Sequence, residues 1–586
     1  MEAFVRVDQV GFAPGETKIA YLLSPRDASD VRVTVLDAYG KQVWRTKAGA
    51  NRGPWNARFP DVRPIDLSGL EKHGVYRVRV EGAVRAESPP FRVGPAAEVL
   101  GPPARYALSY FQNHRDGADQ VPSRWGRQPA HLADRAATVY ERPSFDESGR
   151  AAAGLAPVGG PVDVEGGWYD AGDFLKFTHT TAYAVSAMLI ARRDGLVSDG
   201  LVAETEHGIA WLEKMWDAGA KVLYTQVGIG SGSEAGGFLG DHDTWRLPEA
   251  DDQLDVQPGD ERYYQRYRPV FRAAAPGEMI SPNLAGRVAA AFALAAQVEA
   301  AKQPDRARKH LDAAASVFEL ARTEDVGELV TAEPHSFYPE DQWTDDLAFG
   351  AAELALAGRV LGDSRTEKWS DTASTWARVN AGRGGALSVY DVGALADAEI
   401  IRLLGGGDDL LQDMRRRLDA GVRAAAGNPM GAAAGTGGSD YAARQLGYAA
   451  TAELYEHVSG DKRYAAFATA QRGVVLGVNG WGTSMMVGVG TTYPRCPHDQ
   501  IATLTRTEEP GLTMTGAVVN GPNKADRVHE LQATSGPATC RNDAFAPFDR
   551  DDTHFTDDSR ISANTEPSID FSATGLLAFA LMTEQH

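Results

Sequence analysis

The chain has no excess of positive charge. Its 586 residues carry 59 Lys and Arg against 79 Asp and Glu, a formal net charge of -20. Nucleic acid needs cationic partners for its phosphates, so this balance excludes it as a ligand; a neutral or cationic partner is expected instead. No run of eighteen or more apolar residues occurs, which excludes a membrane-spanning helix. Cysteine is scarce: Cys496 and Cys540 permit one disulfide at most. Such a pair reads more readily as two reduced, partly buried thiols, and it leaves the compartment open. The opening Met-Glu-Ala-Phe-Val-Arg has neither a basic n-region nor an apolar h-region, so no signal peptide is read there. The working expectation is a secreted protein whose leader has been removed, with a cytoplasmic protein as the alternative.

With 43% hydrophobic and 24% charged residues the composition is that of a soluble globular protein, and the length calls for more than one domain. Residues 1–95 read as β-rich. Val31–Leu36, Val43–Trp44 and Val75–Val80 largely alternate apolar and polar residues, with turn signals at Tyr39-Gly40 and Lys72–Gly74. This spacing predicts an immunoglobulin-like sandwich without that fold's cysteine pair. Pro89-Pro90, Gly94-Pro95 and Gly101–Pro103 punctuate a short linker, placed at residues 96–102.

From residue 103 to 586 the texture becomes alanine-rich and helical. Apolar residues recur at helical spacing in Ala182–Ala191, Ile209–Met215, Leu284–Val298, Ala313–Leu320, Leu347–Leu361, Val392–Leu404 and Ala442–Val458. With weaker segments the count is about twelve, which suits six helical hairpins closed into an all-α (α/α)6 barrel. Residues 222–280 and 477–567 read as long loops rich in Trp, Tyr, Asp and His, the usual place for function on a helical scaffold.

Two short stretches concentrate the chemistry. Gly166–Phe177 sets Asp170 and Asp173 in a glycine-rich turn beside Trp168 and Tyr169, flat groups of the kind that pack on sugar rings. Asn564–Ala573 offers Glu566 just ahead of a last apolar helix. Paired carboxylates can divide acid and base roles, as hydrolysis of a glycosidic bond requires. The plainer reading of Asp173 is an N-cap for the helix that includes Thr180–Ile190.

Gly166–Phe177 resembles the signature of family 9 glycoside hydrolases, largely inverting endoglucanases acting on β-1,4-glucans. The likeness continues in order along the chain. Val7–Phe12 and Asp66–Gly69 through Pro90–Val93 resemble the immunoglobulin-like domain of bacterial members, and Tyr224–Gly228 with Asp241–Glu249 a substrate-cleft loop with extra residues inserted between. Leu476–Asn479, Ser484, Gly490 and Pro497-His498 resemble the histidine signature, and Phe555–Asp557 with Glu566–Ser568 the acid signature.

The resemblance implies that Glu566 protonates the leaving oxygen, Asp173 takes the proton of the attacking water, Asp170 holds that water and Asp557 orients its neighbours. An inverting pair stands about 6.5–9.5 Å apart, and the acid needs a raised pKa, which neighbouring carboxylates can supply. His498 and His242 are implied substrate contacts, and Trp168, Trp245, Trp343 and Tyr338 candidate stacking surfaces, about half of which are expected to reach substrate. Where the family signature has His-x-Arg, this chain has His498-Asp499-Gln500, so one subsite loses a cationic fork. Ser562 and Ser572 stand where an aromatic and an asparagine are expected.

No cofactor is needed for such chemistry. A structural calcium is conceivable among Asp549, Asp551, Asp552, Asp557 and Asp558. A zinc site as in some relatives is not expected, since Asp116 and Pro129–His131 bring no thiolate. The leading expectation is therefore a monomeric, inverting endo-β-1,4-glucanase acting on soluble or amorphous chains. Its rivals are an exo-acting cellodextrinase or glucosaminidase and, from another class, a non-catalytic glycan-binding protein. Cellulose, mixed-linkage glucan, cellodextrin and chitosan are not separated by the sequence.

Overall fold

In the computed structural model residues 2–121, 125–196, 198–505, 510–528 and 540–584 are described. The first 93 residues form nine strands: β1 Phe4–Arg6, β2 Gly11–Phe12, β3 Ile19–Ser24, β4 Arg32–Asp37, β5 Gln42–Thr46, β6 Asp61–Asp66, β7 Gly74–Glu81, β8 Ala86–Glu87 and β9 Phe91–Val93. They make two sheets, one in the order β1-β3-β6 and the other β2-β9-β7-β4-β5 with β8 added to β7. One core joins Val5, Leu22 and Ile65 of the first sheet to Val35, Val78 and Phe91 of the second. Strand β3 escaped the alternation pattern because both its faces are covered. Ala20 and Leu22 face the core between the sheets, whereas Tyr21 and Leu23 join the core of the helical domain.

Twelve helices of eleven residues or more follow among the described residues: α1 Gly101–Asn113, α2 Thr178–Arg193, α3 Asp199–Met215, α4 Pro282–Glu299, α5 Pro304–Phe318, α6 Thr344–Leu361, α7 Thr366–Asn380, α8 Gly393–Leu404, α9 Asp408–Gly427, α10 Tyr441–Ser459, α11 Ala465–Val475 and α12 Ile569–Glu584. The even-numbered helices pack in a closed circuit, α2 on α4, α4 on α6, and so on round to α12 on α2. Each odd-numbered helix lies outside, against one or two of them. The two sets differ in sequence for a physical reason. All of Pro282–Ala296 in α4 is buried, so an inner helix is covered on every side, with its Asn283 and Arg287 hydrogen-bonded inside. In α9 burial is confined to Leu410, Asp413, Met414, Arg417, Leu418 and Gly421, the single stripe of an outer helix. Inner helices also approach closely: a Cβ at Gly286 would lie 2.4 Å from the carbonyl oxygen of Asp346.

The 222–280 segment is not simply a loop. Strands β10 Ala137–Tyr140, β11 Pro157–Val162, β12 Lys176–Phe177, β13 Trp216–Asp217, β14 Val222–Val227 and β15 Val270–Arg272 form a second β-structure in the order β11-β10-β15-β14-β12, with β13 on β14. Part of 477–567, residues 506–509 and 529–539, lies outside the described residues.

The β-rich domain is joined to the helices by buried polar groups and stacked rings. Arg472 of α11, fully buried, donates to Glu16 at 2.6 Å, Asp8 at 3.2 Å and the Gly11 carbonyl at 3.1 Å. The Trp55 indole donates to the Phe548 carbonyl at 2.7 Å and meets Trp481 edge-on at 5.2 Å. Deleting residues 1–95 is therefore expected to expose Trp481 and Phe548, lower the melting temperature and promote aggregation. A truncated protein that melts like the full chain but binds glucan more weakly would make the domain a binding module instead.

Candidate active site

The Gly166–Phe177 turn enters α2 and the Glu566 segment enters α12, so contact between these two helices brings the motifs together. The backbone stitches them directly. Ile569 N–H donates to the Asp170 carbonyl at 2.9 Å, Gln500 N–H to the Gly172 carbonyl at 2.9 Å, and Gly172 N–H points at Glu566 Oε1 at 3.4 Å. Gly172 is irreplaceable for lack of space, since a Cβ there would lie 2.0 Å from the His498 carbonyl oxygen.

Asp170, Asp173 and Glu566 line one cavity of about 490 Å³, together with His242, Trp245, Tyr338 and Gln500. Asp173 is not an N-cap of α2. Its Oδ1 accepts from Leu175 N–H at 2.9 Å, its Oδ2 meets His242 Nε2 at 2.5 Å, and the helix begins five residues later. Burial acts to raise the Asp173 carboxyl. The His242 charge, the hydrogen bond from that ring and the Leu175 N–H outweigh it and hold the group below its ordinary value. His242 moves the other way: burial would lower it, but Asp173 and then Asp241 carry it up to about 9. His242 was expected as a substrate contact; here it is the partner of Asp173.

Among the described residues Glu566 has no such cation at hydrogen-bond distance. Burial, then the charge of Asp173, push its carboxyl up to about 8. Asp170 is 2% exposed and accepts from Thr180 Oγ1 and, at 2.5 Å, from Tyr338 Oη. Burial and the charge of Asp570 raise it well above its ordinary value against those two hydrogen bonds. The site thus holds one carboxyl biased toward the anion and two biased toward the acid. Sequence reasoning missed Thr180, Ser568 and Asp570, which complete the support of Asp170. Tyr338 Oη also meets Ser568 Oγ at 3.2 Å, and Ser568 bonds Asp570. An acidic residue in the first turn of a helix is too common for Asp570 to have stood out.

Other expected site residues lie elsewhere. Trp168 is fully buried, donating to Glu204 at 2.8 Å and packed edge-on against Phe111; its indole fills the core and offers no face to a sugar. Tyr169 is likewise buried and donates to Asp116 at 2.9 Å. Trp343 rests against Trp376 at 5.1 Å and does not line the cavity. Trp245 and Tyr338 do line it, though the Tyr338 hydroxyl is spent on Asp170. His498 stands behind Trp245, ring to ring at 5.1 Å, rather than on the cavity surface. Burial lowers it to about 4. Its Nδ1 faces the Ser559 carbonyl at 2.7 Å, so in the neutral ring Nδ1 carries the proton and Nε2 is the acceptor.

Asp557 is fully buried away from the cavity. It accepts from the backbone N–H groups of Arg495 and Cys496, both at 2.9 Å, and from Asn542 at 3.1 Å. It is a scaffold for the loop that leads to His498, not a group lining the cavity. Beside it Cys496 and Cys540 form a disulfide, with Cα atoms 5.2 Å apart. This overturns the expectation of two thiols. Pairing of Arg541–Asn542 with Asp557–Asp558 carries Cys540 to Cys496, a meeting no local pattern announces.

Three of the five aspartates considered for calcium are engaged by the chain itself. Asp549 accepts from Trp481 and Phe555, Asp557 from the groups just named, and Asp558 pairs with Arg560 at 2.6 Å. Around Asp116 and His131 the cations are supplied by the chain: Lys176 Nζ lies 2.6 Å from Asp116 and 3.0 Å from Asp134, and Arg268 donates to Asp116 at 3.3 Å. Among the described residues no group of three or more His, Cys, Asp or Glu could hold a metal ion.

The model of glycosyl hydrolase family 9 matches residues 102–579, and that of a cellulase N-terminal ig-like domain residues 2–85. A metagenome-derived glycoside hydrolase family 9 endoglucanase has the same fold at 22% identity, with a TM-score of 0.72 over 99% of both chains. A xyloglucan-specific endo-β-1,4-glucanase of Bacteroides ovatus is 29% identical over 31% of this chain, and endoglucanase 2 of Oryza sativa 26% identical over 64% of it. The matches span 29% and 64% of those two relatives. With the family model matched across residues 102–579, the chain belongs to glycosyl hydrolase family 9.

Proposed function

We propose that the protein is a monomeric glycoside hydrolase that cleaves β-1,4-glucosidic bonds with inversion, on an (α/α)6 barrel braced by an immunoglobulin-like sandwich. One observation carries the reading: two carboxyls line one cavity with opposite protonation, Asp173 lowered and Glu566 raised to about 8. Environments that push two carboxyls apart in this way assign acid and base. Near neutral pH Glu566 holds a proton to give to the leaving glycosidic oxygen. Asp173 is ionised to take one from water, which adds to the anomeric carbon from the opposite face. His242 keeps the base ionised, and Asp170, anchored by Tyr338 and Thr180, holds the water. The names of the relatives support β-1,4-glucans as substrates, and the retained acid and base speak against a purely glycan-binding protein. The Cys496–Cys540 disulfide supports export, since such bonds persist in oxidising compartments. Among the described residues no helix is long and apolar enough to cross a membrane.

Glu566→Gln is expected to keep fold and oligosaccharide binding and to lose at least about 10²–10⁴-fold in turnover of unactivated glucans. Activity within a few-fold of wild type on cellodextrins would remove Glu566 from the acid role. The pH profile of kcat/KM should follow from the two shifts. Activity needs Asp173 ionised, so the acid limb falls below the ordinary value of an aspartate; it needs Glu566 protonated, so the alkaline limb falls near 8. An alkaline limb in the ordinary carboxylate range would contradict the assignment. Azide needs no deprotonation to attack and should partly restore Asp173→Ala with an inverted product. Rescue of Asp170→Ala alone would exchange the two roles, and a retained product would reject single displacement.

A further inference from the structure

Three segments outside the catalytic motifs line the cavity: Glu147–Gly149, Ser231 with His242, and Ser336–Tyr338. Residues 141–156 continue β10 and β11 as a hairpin whose tip, Glu147–Gly149, lines the cavity beside the carboxylates. The tip is internally fixed: Asp146 Oδ1 accepts from the N–H groups of Ser148 and Arg150 at 2.9 and 3.0 Å. The loop 229–243, where the sequence carries its insertion, braces the hairpin. Arg150 donates to Asp243 at 2.8 Å, and the other oxygen of Asp243 accepts from Gly232 and Gly240 N–H at 2.7 and 2.8 Å.

A third segment, residues 333–338, closes the wall. Arg142 pairs with Glu333, and a Cβ at Gly149 would sit 3.9 Å from the Pro334 ring. A Cβ at Gly230 would sit 2.7 Å from Phe337, so that loop and that ring are in contact. Ser336 and Phe337 border the catalytic cavity on one side and, on the other, a second hollow lined by Tyr390, Ser439, Asp440 and Arg444. The wall is a packed structure. Tyr140, Ala151, Ile229, Phe238 and Phe271 form a separate small core under the hairpin and the loop, with Leu155 and Tyr264 against it. Segments with their own buried apolar core do not open cheaply.

We infer that the 141–156 hairpin, the 229–243 loop and the 333–338 segment form an end-stop, so that the enzyme releases units of one or two sugars from a chain terminus instead of cutting at random. The inference rests on the hydrolytic reading of the same site. Its physical basis is that a polymer bound across an internal bond must leave the site in both directions, and segments braced in this way at the cavity would close one of them. At about 490 Å³ the cavity lies in the lower part of the range, about 300–1,000 Å³, that encloses compact small ligands.

The test follows viscosity and new reducing ends together on a long soluble β-1,4-glucan, with chromatography of the early products. Three proteins are compared: wild type, Glu566→Gln, and a variant in which residues 146–150 are replaced by two glycines. Wild type is expected to release mono- or disaccharide from the first minutes while viscosity falls little. The shortened hairpin should raise viscosity loss per reducing end several-fold. A ladder of long fragments from wild type, with rapid thinning, overturns the end-stop while leaving the chemistry intact. A folded hairpin variant with the wild-type ratio removes the hairpin from that role. Hydrolysis absent, or unaffected in Glu566→Gln, overturns the underlying reading and the inference with it. Should the variant fail to fold, the wild-type product profile decides.

Discussion

Closure of the helical ring is the constraint on which the site depends. A circuit of six inner helices is complete only when α12 packs on α2, and that contact alone sets Glu566 beside Asp173, almost 400 residues earlier. Tyr183 of α2 and Thr574 of α12 share a hydrogen bond at 2.7 Å inside this contact, and Ile569 N–H reaches the Asp170 carbonyl. The tolerance is small. Gly172 presses on the His498 carbonyl without room for a methyl group, so the acid, the base and the His498 loop are held in one register by backbone.

Within that register, electrostatics rather than residue type separates the roles. Three carboxyls share one cavity, where burial acts to raise each of them. Of the three, among the described residues, Asp173 alone has a cation in contact, and it alone is lowered. Asp170 receives hydroxyl donors, which are too weak to overcome burial beside Asp570. Glu566 is raised by burial and then by the anion it works with, so ionising the base helps to keep the acid protonated. His242 is therefore the group that breaks the symmetry.

The parts distant from the cavity serve its geometry. Arg472 fastens the β-rich domain to α11 through two buried carboxylates. Losing one partner of such a pair costs about 3–5 kcal/mol, because a charge is left buried alone. Asp557 and the Cys496–Cys540 bond hold the loop that carries His498, whose ring packs on Trp245. Lys176 and Arg268 neutralise Asp116 and Asp134 behind the catalytic turn, so charges of the chain's own brace that turn.

Much of this was legible in one dimension. Period-two alternation marked β4, β5 and β7, and helical periodicity marked seven of the twelve long helices, because each element's solvent side or core side repeats at its own pitch. The glycine turn and the Glu566 segment marked the carboxylates through their resemblance to the family 9 signatures, since Asp173 by itself reads more plainly as a helix cap. What the sequence could not determine is which aromatic faces a sugar and which fills the core. Trp168 and Trp245 are the same residue type beside equally suggestive motifs, and only packing buries the first completely and leaves the second at the cavity. The disulfide, the pairing of His242 with Asp173 and the wall built from residues 141–156, 229–243 and 333–338 were decided the same way. Each joins segments far apart in the chain, and such contacts follow from how the ring closes, not from any local period.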